Sequence, residues 1–222
     1  MRRLLTLLAT YAGILFLAPP LFAVFRLAGE QFISSQVLAA HPWLLQVITY
    51  TPILLLLLIF LKATLRPAAD YGFVYTEKWL WVSVAIGVVS AVCLYALDMY
   101  SGFFSTHNIH TNPSLLVAAG YLFSWALLGP FVEEFFFRGF IQTTVQEALT
   151  SKYAVHVAVG VAVIFEVLFH AVFGSELLQL SYVAVFGLAA GIVYARTNSL
   201  LGPFLIHAIG NGGELLLFWL LV

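Results

Sequence analysis

Apolar runs follow one another along the chain, separated by short clusters of polar residues, glycine and proline. A helix needs about 20 apolar residues to cross the hydrocarbon layer of a bilayer, so each run of that length predicts a spanning helix. Apolar length puts these at residues 4–27, 43–61, 79–97, 114–129, 131–149, 153–173, 180–195 and 200–221. The fourth and fifth belong to one apolar segment that Pro130 interrupts. A new helix is therefore expected from about Phe131, with Glu133 and Glu134 in its first turn. Carboxylates suit that end of a helix, where the dipole is positive.

The polar breaks orient the spans. Arg2 and Arg3 before the first run imitate the start of a signal peptide, but the run continues past Pro19 and Pro20 to Leu27 and further spans follow. Cleavage is not expected, and the arginine pair places the N-terminus in the cytoplasm. Lys62, Arg66 and Lys78 bracket the loop with Pro67 and Asp70, which makes that loop cytoplasmic as well. The loop at 101–112, with His107 and His110 but no Lys or Arg, then falls on the opposite side.

Composition turns this pattern into a class. With 63% hydrophobic residues, 9% charged ones and a mean hydropathy of +1.03, no segment is polar enough for a soluble domain. Residues 1–222 are expected to form a single membrane domain: an all-α, polytopic transmembrane bundle of about seven to eight helices with a polar intramembrane cavity. The lipid bilayer is thus a partner, while a net charge of −1 from scattered ions leaves no basic face for nucleic acid. Cys93 has no second cysteine to pair with and reads as core packing. Gly187 and Gly191 form a GxxxG pair suited to close helix packing within the monomer. Trp43, Trp79, Trp81 and Trp219 read as interfacial anchors, and His41, His107, His110 and His156 as ordinary loop or interface histidines.

Within this oily chain, charge needs a reason. Glu133, Glu134 and Arg138 lie inside the apolar stretch 127–140, where each ion costs about 2.5 to 3.5 kcal/mol at mid-bilayer. Glu134 and Arg138 stand at i and i+4, share a face and form a structural clasp. Glu133, turned about 100° away, is left to face a cavity as an unpaired carboxylate fit for general base or acid chemistry. His170 ends another apolar run; alone it fits a helix–helix hydrogen bond or chemistry equally. Glu166, one turn earlier, either orients the His170 ring or makes an interhelical contact, and both remain open. His207 and Asn211, again at i and i+4, offer an imidazole and a carboxamide on one face, donors suited to a developing oxyanion.

These residues resemble the CAAX prenyl protease and bacteriocin-processing family of intramembrane proteases, over about residues 114–211, the expected catalytic core. Its first motif, Glu-Glu-x-x-x-Arg, is present from Glu133 to Arg138, and its last, His-x-x-x-Asn, from His207 to Asn211, preceded by the usual approach from Arg196 to Pro203. The second, usually Phe-x-x-x-His, keeps His170 but has Glu166 at the phenylalanine position, with Phe165 one residue off. The resemblance implies an endopeptidase in which Glu133 and His170 activate a water, His207 and Asn211 stabilise the oxyanion, and Glu134 and Arg138 support them. No cofactor is expected. Glu133, His170 and His207 also suit a catalytic zinc site, so the sequence leaves a divalent metal open. The implied partner is a hydrophobic, lipidated or membrane-associated peptide, and compactness with the resemblance suggests a bacterial cytoplasmic membrane.

Geometry adds a condition. His170 is near the end of its predicted span and His207 mid-span, about 21 Å from Leu221, so the two meet only if residues 171–179 dip within the bundle as a non-spanning or re-entrant segment lining a wet cavity. Two other classes compete: a non-catalytic scaffold or bacteriocin-immunity protein that retains the polar cluster, and, more weakly, a transporter, since no second acidic relay is expected to cross the other helices.

Overall fold

The computed structural model describes residues 33–64, 66–102, 111–172 and 175–222, together with Val24, Leu27, Ala28, Gln31, Phe104 and Ile109. The first expected span, apart from Val24 and Leu27, lies outside the described residues, as do Arg2, Arg3, His107 and His110. A short helix α1 (Ser35–Ala40) leads into α2 (Trp43–Ala63), α3 (Leu80–Ser101), α4 (Leu115–Ala148), α5 (Ala154–Val172), α6 (Leu177–Thr197) and α7 (Leu201–Leu221). The last six are long and apolar enough to cross a membrane. No strand occurs among the described residues, and the chain is the all-α bundle its apolar pattern predicts.

One expectation is corrected at Pro130. The two helices expected at 114–129 and 131–149 are a single helical run, α4, of 34 residues. The helix absorbs the proline by widening: Leu122–Leu128 and Phe135–Gln142 are π-helical, and the Gly129 N–H reaches back to the Ser124 carbonyl. A wider turn just before the proline moves the preceding carbonyls away from its ring, so the chain continues instead of breaking. Glu133 and Glu134 therefore sit deep inside a long helix, and the helix-end argument for their charge falls away.

The core gathers around α4. Phe135, Phe137, Phe140 and Ile141 are fully buried and pack with Leu57 of α2, Ala158 and Ala162 of α5, Tyr194 of α6, and Tyr71 and Leu200 from the connecting loops. Beside it, α3 and α7 run side by side in the same direction: Gly87 meets Ile209, Ser90 meets Gly210, and a Cβ placed on Gly213 would come to 2.7 Å from that of Ala91. Trp43 packs on Gly120 and Trp219 joins a buried cluster, so these two serve packing more than anchoring, whereas Trp81 is 80% exposed. Cys93 is exposed on α3 and is not a core residue. The side facing lipid is as apolar as the side facing protein, which removes the polarity contrast that would have told them apart. His156 is exposed, as expected.

Loops tie one end of the bundle together. Arg66 grips both Glu147 oxygens at 2.8 and 2.6 Å, which raises its guanidinium above the ordinary range. Leu200 N–H donates to the Gly72 carbonyl at 2.9 Å and the Ser199 hydroxyl donates to that of Val74. This brings the α2–α3 loop, the end of α4 and the α6–α7 link to one end, and Lys62, Arg66, Lys78, Lys152 and Arg196 all lie there. Among the described residues only Arg138 carries a permanent positive charge inside the bundle.

Candidate active site

The positions singled out by charge converge on Glu133. Its carboxylate is buried, 5% exposed, and is approached from three other helices. Tyr50 of α2 donates its hydroxyl to Oε1. On the other oxygen, Oε2 lies 3.7 Å from Nε2 of His170 on α5 and 3.9 Å from Nε2 of His207 on α7. These separations exceed a direct hydrogen bond and leave one carboxylate oxygen facing two imidazoles. Tyr50 was not picked out from the sequence: a lone tyrosine in an apolar run carries no signal that separates it from an ordinary membrane aromatic.

Glu134, one residue on, faces a different set of partners, as the 100° step between neighbours requires. Its Oε1 is 2.9 Å from Nδ1 of His207, and its Oε2 is 3.1 Å from Nε of Arg138. The clasp expected between Glu134 and Arg138 is present, but it is larger than two residues. Arg138 also places Nη1 2.9 Å from Oε2 of Glu166 on α5 and donates through Nη2 to the Gly187 carbonyl on α6 at 3.2 Å. That settles the role left open for Glu166: it is an interhelical partner of Arg138. Arg138, Glu134 and Glu166 are 0%, 1% and 1% exposed. In such surroundings an ion persists only when its partners are also present.

The GxxxG pair explains how α6 comes so close. A Cβ at Gly187 would collide with Oε2 of Glu166, and one at Gly191 would meet Val159 at 3.0 Å and Oε1 of Gln142 at 3.2 Å. Gln142 in turn donates to the Gly191 carbonyl at 2.9 Å. The glycines thus pack within the monomer and open two backbone carbonyls to buried polar side chains.

A cavity of about 290 Å³ opens beside Glu133, lined among others by Tyr50, His170, His207, Asn211, Ser175 and Gln179. His207 is seated by the Phe186 ring, edge-on at 4.8 Å, and Asn211 donates one amide N–H to the Trp125 carbonyl at 3.2 Å, leaving the second N–H of its NH₂ group. All four residues expected in the site therefore border one space. Residues 171–179, expected as a non-spanning segment, are instead largely taken up by helix ends: α5 runs to Val172 and α6 starts at Leu177, capped by Glu176 and Gln179. His170, two residues before the end of α5, lies beside the same Glu133 oxygen as His207, fourteen residues before the end of α7 at Leu221.

Two further carboxyl groups line the same cavity. Asp98 on α3 and Glu214 on α7 are 3% and 1% exposed and lie close enough to interact. The expectation that no second acidic pair crosses the other helices is thus corrected. Each sits in an apolar helix, so the criterion that flagged Glu133 applies equally to them. What hid them was their separation in sequence. Among the described residues no three His, Cys, Asp or Glu side chains are arranged to hold a metal ion.

Compared with known proteins, residues 113–213 match the model of the family described as type II CAAX prenyl endopeptidase, Rce1-like. No curated protein and no solved structure matched the chain. The matched stretch runs from the start of α4 to just beyond Asn211 and contains every residue from Glu133 to Asn211 discussed above.

Proposed function

We propose, from the match of residues 113–213 to the type II CAAX prenyl endopeptidase, Rce1-like family, that the chain is an integral membrane endopeptidase hydrolysing a peptide bond in a hydrophobic, lipidated or membrane-associated peptide. The observation that carries this reading is Oε2 of Glu133 facing the Nε2 atoms of His170 and His207 at 3.7 and 3.9 Å in a cavity beside Asn211. Glu133 and His170 orient a water, and the Glu133 carboxylate takes its proton as the hydroxide attacks the carbonyl carbon. The oxyanion forms toward His207 and the second N–H of Asn211. Because Glu134 is ion-paired and accepts at Nδ1, His207 can donate through Nε2 only as an imidazolium. Glu133 then passes the proton to the departing amine as the C–N bond breaks.

Glu134 and Arg138 hold His207 and take no part in the proton transfers. Lys62, Arg66, Lys78, Lys152 and Arg196 at one end put that end in the cytoplasm by the positive-inside rule. Purified protein in detergent is expected to cleave a hydrophobic or prenylated peptide. Glu133→Gln keeps the Tyr50 contact and the fold while turnover falls by roughly 10³-fold or more. Full activity in that variant ends the assignment, and full complementation of a null strain by it points instead to a non-catalytic scaffold or immunity protein. The Asp98–Glu214 pair favours one second reading, a proton-coupled transporter: proton flux in proteoliposomes that Asp98→Asn abolishes, without peptide cleavage, would select it.

A further inference from the structure

Glu166 stands where the family's second motif usually has phenylalanine, and its carboxylate is one of three acceptors around Arg138. We propose that Glu166 is a positioning residue that sets His207 through Arg138 and Glu134, with Gly187 as the counterpart that leaves room for it. The kinetic consequence rests on the endopeptidase reading; the positioning itself does not.

The connection is continuous from atom to atom. Oε2 of Glu166 holds Nη1 of Arg138 at 2.9 Å, Nε of the same guanidinium lies 3.1 Å from Oε2 of Glu134, and Oε1 of Glu134 lies 2.9 Å from Nδ1 of His207. Nη2 is held by the Gly187 carbonyl at 3.2 Å. A guanidinium is planar, so acceptor oxygens hydrogen-bonded at Nη1 and Nη2 and ion-paired beside Nε fix the plane as well as the position. Here those acceptors come from α4, α5 and α6. Without Glu166, Arg138 keeps a partner on its own helix, Glu134, and the pair can turn together, carrying the carboxylate that orients His207.

Phenylalanine at 166 would offer Nη1 no acceptor from α5. Gly187 is tied to this arrangement, since a Cβ there would collide with the Glu166 oxygen that holds Arg138 and would also come to 3.5 Å from Nη2. If the glycine served helix packing alone, adding a methyl group would have the same effect whatever stood at 166.

The test is a mutant cycle read by peptide cleavage and by ¹⁵N resonances of the histidine rings. Glu166→Gln is expected to fold and to lower kcat by about 10- to 100-fold, the range for residues that orient a reacting group, with KM within about twofold. Gly187→Ala lowers kcat similarly in the wild-type background and adds nothing in a Glu166→Ala background. An equal effect of Gly187→Ala in both backgrounds overturns the proposal, as does unchanged kcat in Glu166→Gln. Should Glu166→Ala fail to fold, the two single variants Glu166→Gln and Gly187→Ala still decide it. The Nδ1 resonance of His207 is expected to move in Glu166→Gln while that of His170 stays. That spectrum needs no substrate: absent cleavage by wild type counts against the endopeptidase reading alone, and an unmoved His207 resonance against the positioning role alone.

Discussion

Where α3 meets α7 the contact is made of small residues, with Gly87, Ser90 and Ala91 set against Ile209, Gly210 and Gly213. Where α4 meets α5 and α6 it is made of ions and carbonyls, with Arg138 between Glu134, Glu166 and the Gly187 backbone. Lipid tails are as apolar as leucine, so no hydrophobic force brings spanning helices together; shape and polar bonds do that instead. The first interface uses shape and tolerates any partner that fits. The second uses bonds whose removal leaves other buried charges unmatched, and it is the one that reaches His207. Glycine serves both, giving close approach in the first and bare carbonyls in the second.

The contrast can be broken at the ionic interface first. Arg138→Met leaves Glu134 and Glu166 buried without their cation, and a loss of about 3 to 5 kcal/mol is expected in denaturation in detergent, with turnover lost as well. Wild-type stability in that variant would mean that the ion network does not join the three helices. At the packed interface, Gly213→Val forces side-chain atoms onto Ala91, and about 1 to 3 kcal/mol is expected from the same measurement. A larger loss there than at Arg138 would reverse the ranking of the two interfaces.

The Asp98–Glu214 pair bridges α3 and α7 within an otherwise apolar contact. Glu214→Gln offers Asp98 an amide N–H where a carboxyl donates only when protonated, so stability should change by less than about 1 kcal/mol. A marked loss would show that the shape-built interface also depends on charge. Smallest of all is Arg66→Ala. Its bidentate contact to Glu147 lies on the solvent side, where screening and side-chain entropy leave such a pair under about 1 kcal/mol, and a shift in melting temperature beyond a few degrees would contradict this.

Residue type and spacing alone marked Glu133, Glu134, Arg138, His170, His207 and Asn211, because ionisable and amide groups stand out in an oily chain. Helical periodicity also separated Glu133 from the Glu134–Arg138 face, and apolar length located α2, α3 and α5 to α7 to within a few residues. Pro130 misled because whether a proline breaks a helix or is absorbed by a π turn depends on the packing around it. Cys93 misled because an apolar helix gives no sign of which face meets lipid.

Local rules thus determined what the chain is made of: spans, faces and a set of buried ions. Only the tertiary structure decided who faces whom. That Glu166 belongs to Arg138, that Tyr50 reaches Glu133, and that Asp98 finds Glu214 are contacts between residues 28, 83 and 116 positions apart in the chain. Pairings at that distance are set by how helices stack, and helices that are apolar all round leave no trace of their stacking in the order of residues.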